Sequence, residues 1–292
     1  MSQVGGFLAD KLRFGPAGLP VGFNGPLTLV PSYLRNEGLN AFEYQAVRWG
    51  VKPQVKRELA EKFKSEALKN DVWVTMHGSY FINLAGDKSV VDKSIERIKT
   101  CLEAADWFGA ESVVFHPGFY GRSSSKEAFE TCLKALNELV EYMNAMGSKA
   151  YLRPETTGKP SQLGSLDEIL AMCQKFDSVY PTVDWAHIYA RCGGCLYSKD
   201  DYFKVFEKIE KALGSRGVEK LHFHFTNVEY GDKGEIKHRT LDEPFGPDFK
   251  ILAEVVVENG YKPVIISESP VLDLDAVKMK NIMEVLEWKK KK

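Results

Sequence analysis

The chain has 292 residues, 44% of them hydrophobic, and its 39 Lys and Arg stand against 40 Asp and Glu for a net charge of -1. That is enough apolar material for a large core, and a charge too balanced to attract nucleic acid globally, so any such binding must come from a local basic rim. No stretch reaches the roughly 18 to 20 unbroken apolar residues of a membrane span, and MSQVGGFLADKLRFG lacks the basic-then-apolar order of a signal peptide, so a soluble cytoplasmic protein without membrane partner is expected.

Along the chain, strand-like apolar runs recur at 11–18 (KLRFGPAG), 39–45 (LNAFEYQ), 72–78 (VWVTMHG), 112–118 (SVVFHPG), 150–155 (AYLRPE), 180–187 (YPTVDWAH), 221–227 (LHFHFTN) and 263–269 (PVIISES). Between them lie segments such as 87–109 and 125–147, whose apolar residues recur every three or four positions and which end at Gly109 and Gly147, as helices do. Strict alternation with buried strands argues for a parallel sheet. Eight repeats in under 300 residues point to a closed (β/α)8 TIM barrel of the α/β class, a single domain over 1–292. No GxGxxG follows the first strand, and no linker divides the chain.

Five cysteines in a chain of this length do not suggest a disulfide framework. Only Cys192 and Cys195 form a CxxC pair, and no second pair completes a four-thiolate zinc site. They are expected to be structurally neutral, closing to a disulfide under oxidation.

The six histidines carry more information. His77, His116, His187, His222 and His224 lie in or at the ends of predicted strands, and His238 falls in the loop after the seventh. In a barrel the strand ends open onto one face, so residues scattered in sequence meet there. Glu155, Asp184 and Glu268 occupy equivalent positions. Imidazoles and carboxylates together are ligands for zinc and similar ions, and burying three carboxylates at one mouth would be costly without cations. His222 and His224, two apart on one strand, share a face.

The strings HGSYFINLAG, FHPGFYG, PETTGKPSQLG, VDWAHIYARCGG, HFTN and ISES resemble, in order, the strand-end motifs of the endonuclease IV family of apurinic/apyrimidinic endonucleases, within the xylose isomerase-like barrels. The resemblance implies a zinc barrel with two or three ions that hydrolyses the DNA phosphodiester 5′ to an abasic site, with double-stranded abasic DNA as partner and no obligate protein partner. It implies His77 and His116 as ligands of a first zinc, and Glu155 as the bridge to a second completed by Asp184, His224 and Glu268. His187 and His238 fall to a third. Glu155 and Glu268 are implied to touch the nucleophilic water. Tyr80 and Phe81 match positions that probe or wedge the duplex, and Arg48 and Trp49 fall where a DNA-penetrating loop is expected. Arg48, Lys52, Lys56, Arg57, Arg122, Lys126, Lys159 and Arg191 could supply a basic rim.

Two departures stand out. The family closes its third site with Asp-x-His, whereas GEIKHRTL places Ile236 two before His238, and Glu235 could substitute only if the loop shifts by one residue. The first strand has RFGPAG where a His-containing motif is typical. The alternative reading is a sugar isomerase or epimerase of the same superfamily, which holds a single ion, Mn or Mg included, on Glu155, Asp184, His224 and Glu268. Such an enzyme has no need of His77, His116 and His187, and on that ground the nuclease reading is preferred.

Overall fold

Runs such as SVVF and VIIS are apolar on both faces, which suits strands buried between a barrel interior and a jacket of helices. The computed structural model describes residues 11–292 and shows that arrangement. The first ten residues, part of the stretch read above for a signal peptide and of the 1–292 domain, lie outside the described residues. The strands are β1 (Arg13–Pro16), β2 (Ala41–Gln45), β3 (Trp73–His77), β4 (Ser112–Phe115), β5 (Gly118–Phe119), β6 (Tyr151–Pro154), β7 (Gln162–Leu163), β8 (Val183–Asp184), β9 (His222–Phe225), β10 (Asn227–Gly231), β11 (Gly234–Arg239) and β12 (Val264–Ser267).

Eight of them form the barrel. Parallel pairing runs β2-β3-β4-β6 on one side and β1-β12-β9-β8 on the other. Bridges between Ala17 and Glu43, and between Glu155 and Thr182, join the two sides and close the ring. These eight strands coincide with the eight apolar runs. The remaining four pair antiparallel, β10 with β11 as a hairpin and β5 with β7 as a short two-stranded ribbon between the loops that follow β4 and β6.

The helices pack their apolar stripe inward. Lys88–Phe108 buries Val91, Ile95, Ile98, Leu102 and Phe108, and Ser125–Met146 buries Ala128, Cys132, Leu136, Leu139 and Met143, the three- and four-residue spacing of a helix with one face on a core. Ser124 and Glu127 form a capping box at the start of the second, and left-handed Gly109 and Gly147 end the two. No helix among the described residues is long and apolar enough to cross a membrane.

Two elements differ from the expectation. The sixth strand does not run on to His187. It stops at Asp184, whose carboxylate accepts the His187 backbone N–H at 2.7 Å and caps the helix Trp185–Arg191, so that His187 sits in a first helical turn. The segment after the seventh strand is no loop but the β10–β11 hairpin, which carries His238 on β11. Inside the barrel, the buried polar residues include an ion pair between Arg153 and Glu111 at 2.9 Å, and above it Glu43, Thr75, His222 and His224.

Candidate metal centre

Because the strands are parallel, their C-terminal ends deliver side chains to one mouth. His77 closes β3, His116 follows β4, Glu155 follows β6, Asp184 closes β8, His224 is the third residue of β9 and Glu268 follows β12. Glu155 stands at the centre. Its Oε2 lies 3.1 Å from His77 Nε2 and 3.3 Å from His116 Nε2, and its Oε1 lies 3.3 Å from His224 Nδ1. His224 Nδ1 is also 3.3 Å from Glu268 Oε1. The ligand atoms of Glu155, Asp184, His224 and Glu268 all fall within 4.8 Å of one another, and so do those of His77, His116 and Glu155.

A third group lies beside these two. His187 Nε2 is 3.2 Å from Glu235 Oε2, and His238 Nε2 is 3.3 Å from Glu235 Oε1. Residues three apart on a regular strand face opposite ways. Here Lys237 pairs with Glu229 and Glu235 with Tyr230, so Ile236 is a bulge that restores Glu235 to the face of His238. Ile236 itself points out, 63% exposed. The loop from β6 makes room: a Cβ on Gly158 would come within 2.8 Å of the Glu235 Cβ and 3.0 Å of the His187 ring. Gly234, at φ 87°, lies so close to the Gly158 carbonyl that a Cβ there would meet it at 2.2 Å.

The donor set fits divalent cations. A neutral imidazole has one N–H and one lone pair, and whichever nitrogen is engaged elsewhere fixes the direction of the other. His77 Nδ1 lies 2.9 Å from the Gly78 carbonyl, His187 Nδ1 2.8 Å from that of Thr156 and His238 Nδ1 3.0 Å from that of Glu268. In its neutral, metal-binding form each of these rings therefore turns its Nε2 lone pair toward the carboxylates. Glu155 Oε1, Asp184 Oδ2, His224 Nδ1 and His238 Nε2 are buried with no hydrogen-bond partner. Leaving such atoms unpaired costs several kcal/mol or more for an ionised group, and a cation between them removes that cost.

The protein's own groups polarise one another strongly. Burial opposes ionisation of Glu155, yet His116 and His224 hold its carboxyl well below the usual range. Asp184 goes the other way: burial, and then the like charges of Glu268 and Glu155, push it up to about 7 against the pull of His187. Burial disfavours the charged forms of His77 and His238, but the neighbouring carboxylates, Glu155 for the first and Glu235 for the second, raise both to about 9.

The other expected residues divide. Tyr80 and Phe81 stand at the mouth, each 62% exposed, and the Tyr80 ring lies 5.9 Å from that of His77. Arg48 is exposed, but the expectation for Trp49 is corrected: it is 4% exposed and packs edge-on against Tyr44, so it is a core residue with no surface to offer a duplex. Arg191 is an internal staple, donating to the Thr157, Lys159 and Gln162 carbonyls. Cys192 and Cys195 form a disulfide in the turn after the His187 helix. Glu43 is not reached by strand-end reasoning, although a lone carboxylate inside the strand AFEYQ is a readable signal.

The xylose isomerase-like TIM barrel family matches residues 32–292 of the chain. An uncharacterized protein of Methanocaldococcus jannaschii is 32% identical over 267 residues, covering 91% of this chain and 94% of that protein. A probable endonuclease 4 of Thermotoga sp. (strain RQ2) is 27% identical, covering 69% and 72%, and apurinic-apyrimidinic endonuclease 1 of Saccharomyces cerevisiae is 23% identical, covering 87% and 70%. Among solved structures, endonuclease IV from Thermus thermophilus superposes with a TM-score of 0.70 at 21% identity, over 94% of this chain and 99% of that one. A D-tagatose 3-epimerase-like protein does so at 0.68 and 19%, over 96% and 100%. These likenesses to solved structures concern the fold, and the match over 32–292 settles the kinship: the chain belongs to the xylose isomerase-like TIM barrel family.

Proposed function

We propose that the protein is a zinc-dependent apurinic/apyrimidinic endonuclease that hydrolyses the DNA phosphodiester 5′ to an abasic site. The observation that carries this reading is the His187, Glu235, His238 group beside the other two. A sugar epimerase needs only Glu155, Asp184, His224 and Glu268, whereas a phosphodiester spreads charge over several oxygens that several cations can share.

In this reading His77, His116 and Glu155 would hold one ion, Glu155, Asp184, His224 and Glu268 a second, and His187, Glu235 and His238 a third. The nitrogen-rich, carboxylate-bridged donor set suits zinc. Bound ions would neutralise the phosphate oxygens, stabilise the leaving alkoxide and make a water acidic enough to attack at neutral pH. The chain's own residues do the rest. Glu155 and Glu268, whose Oε1 atoms both lie 3.3 Å from His224 Nδ1, face one small volume and are assigned the orientation of the attacking water and the holding of its proton. Tyr80 and Phe81, exposed at the rim, would pack against the sugar and bases flanking the lesion.

The test is elemental analysis of protein purified without chelator, together with cleavage of a duplex carrying one abasic site. At least two zinc equivalents per chain and a cut on the 5′ side, abolished by chelation, are expected. One equivalent with turnover of a ketose and none of the duplex would move the chain to the epimerases.

A further inference from the structure

The barrel interior holds a carboxylate that the three ligand groups do not use. Glu43, in the middle of β2, is fully buried. Its Oε2 lies 3.1 Å from His224 Nε2, 3.2 Å from His222 Nε2 and 3.0 Å from Thr75 Oγ1, which donates to it, and its Oε1 accepts from Gln45 Nε2 at 3.2 Å. On the opposite edge of the His224 ring, Nδ1 meets Glu155 and Glu268 and has no hydrogen-bond partner.

A neutral imidazole keeps one N–H, and an ionised carboxylate only accepts. With a cation seated among Glu155, Asp184 and Glu268, the His224 lone pair belongs on Nδ1, toward that cation, and its N–H on Nε2, toward Glu43. His77, His187 and His238 rest on backbone carbonyls. His224 rests on a charge, which makes a shorter, stronger hydrogen bond and a more basic ligand.

We propose that Glu43 is a positioning residue: by accepting the Nε2 proton it locks the tautomer and ring orientation of His224 and strengthens its bond to the metal shared with Glu155, Asp184 and Glu268. Thr75, Gln45 and His222 hold Glu43 in turn. An ion seated among Glu43, His222 and His224 is the competing use of the same atoms. It would require His224 to bind metal through both nitrogens and so lose its last N–H, and Glu43 Oε2 already accepts the Thr75 hydroxyl. The proposal rests on the reading of Glu155, Asp184, His224 and Glu268 as a metal site, and is independent of whether DNA or a sugar is the substrate.

The test compares wild type with Glu43→Gln, which conserves volume. Metal-stripped protein is titrated with zinc against a chromophoric chelator, and with cobalt while its visible absorption is followed. The expected result is an unchanged number of equivalents, an affinity about 10- to 100-fold lower for one of them, and altered cobalt bands. Equal affinity in the two proteins would overturn the proposal. Loss of one whole equivalent with the others untouched would overturn it differently, by making Glu43 a ligand. If wild type itself binds no zinc, the metal-site reading fails first and the positioning role with it. Should the variant not fold, histidine 15N NMR of zinc-loaded wild type decides: His224 must show a protonated Nε2 and a metal-bound Nδ1, and the reverse arrangement rejects the role.

Discussion

Glu155 carries two oxygens and meets four imidazoles, His77 and His116 at Oε2 and His187 and His224 at Oε1. Among the described residues no other carboxylate at the mouth meets as many imidazoles, and it joins the His77 and His116 group to that of Asp184, His224 and Glu268. Glu155→Gln keeps the volume and removes the charge from both. The expected outcome is loss of more than one metal equivalent with a fall in turnover of several orders of magnitude, whereas His116→Gln, which touches only the first group, is expected to lose one equivalent at most. Elemental analysis of the two variants checks this, and equal losses would mean that Glu155 does not bridge. Five of the six histidines are legible as candidate ligands because they lie in or at the ends of strand-like runs, and strand ends in a barrel converge; His238 is reached only through the resemblance. Glu43 could not be placed that way, since it lies mid-strand and its role depends on β9 entering the interior beside it. Trp49 misled for a similar reason: an aromatic just past a strand reads equally as a wedge or as core, and only its packing on Tyr44 decides.

The β10–β11 hairpin shows how one inserted residue is absorbed by an element. With Ile236 bulged, Glu235 and His238 face the same way as a pair spaced i, i+2 on a regular strand. Deleting Ile236 should leave Glu235 and His238 at that spacing without any bulge. The deletion is therefore expected to retain the third metal equivalent and most of the activity, while Glu235→Ala loses the equivalent. If the deletion also loses it, the bulge has a further role in aiming Glu235 past Gly158. The eight barrel strands were legible because apolar runs and amphipathic segments alternate. The hairpin is less legible, because its strands lack an apolar run and only the glycine-rich turn Gly231, Asp232, Lys233 and Gly234 marks it. The end of the sixth strand is hard to read from sequence because Trp185 and Ala186 continue its apolar character past Asp184, whose side chain instead caps a helix and so delivers His187 to the site from a different direction.

At the scale of the whole molecule, the fold alone leaves the chemistry open, for an endonuclease and an epimerase-like protein superpose on the chain about equally well. What the fold does determine is that each candidate ligand group draws on elements far apart in sequence. His77 comes from β3, Glu155 from the end of β6, His224 from β9 and Glu268 from the end of β12, so an unfolded chain cannot present the same site. Ions that bind only the folded state stabilise it by mass action, by about 4.1 kcal/mol for each site held at 1,000 times its dissociation constant. With roughly 2 to 4 °C per kcal/mol for a domain of some 150 to 250 residues, one tightly held ion is worth on the order of 10 °C in Tm. Chelation is therefore expected to lower the melting temperature by at least that much, zinc to restore it, and Glu155→Gln, which of the three groups keeps only His187, Glu235 and His238 intact, to show a clearly smaller chelator-dependent shift than wild type. Calorimetry of wild type and variant, each with and without chelator, measures all four values. A wild-type Tm indifferent to chelator would show that the buried imidazoles and carboxylates neutralise one another without a cation. Because those groups span the barrel wall, that result would also turn the cluster from a metal centre into a self-paired polar core.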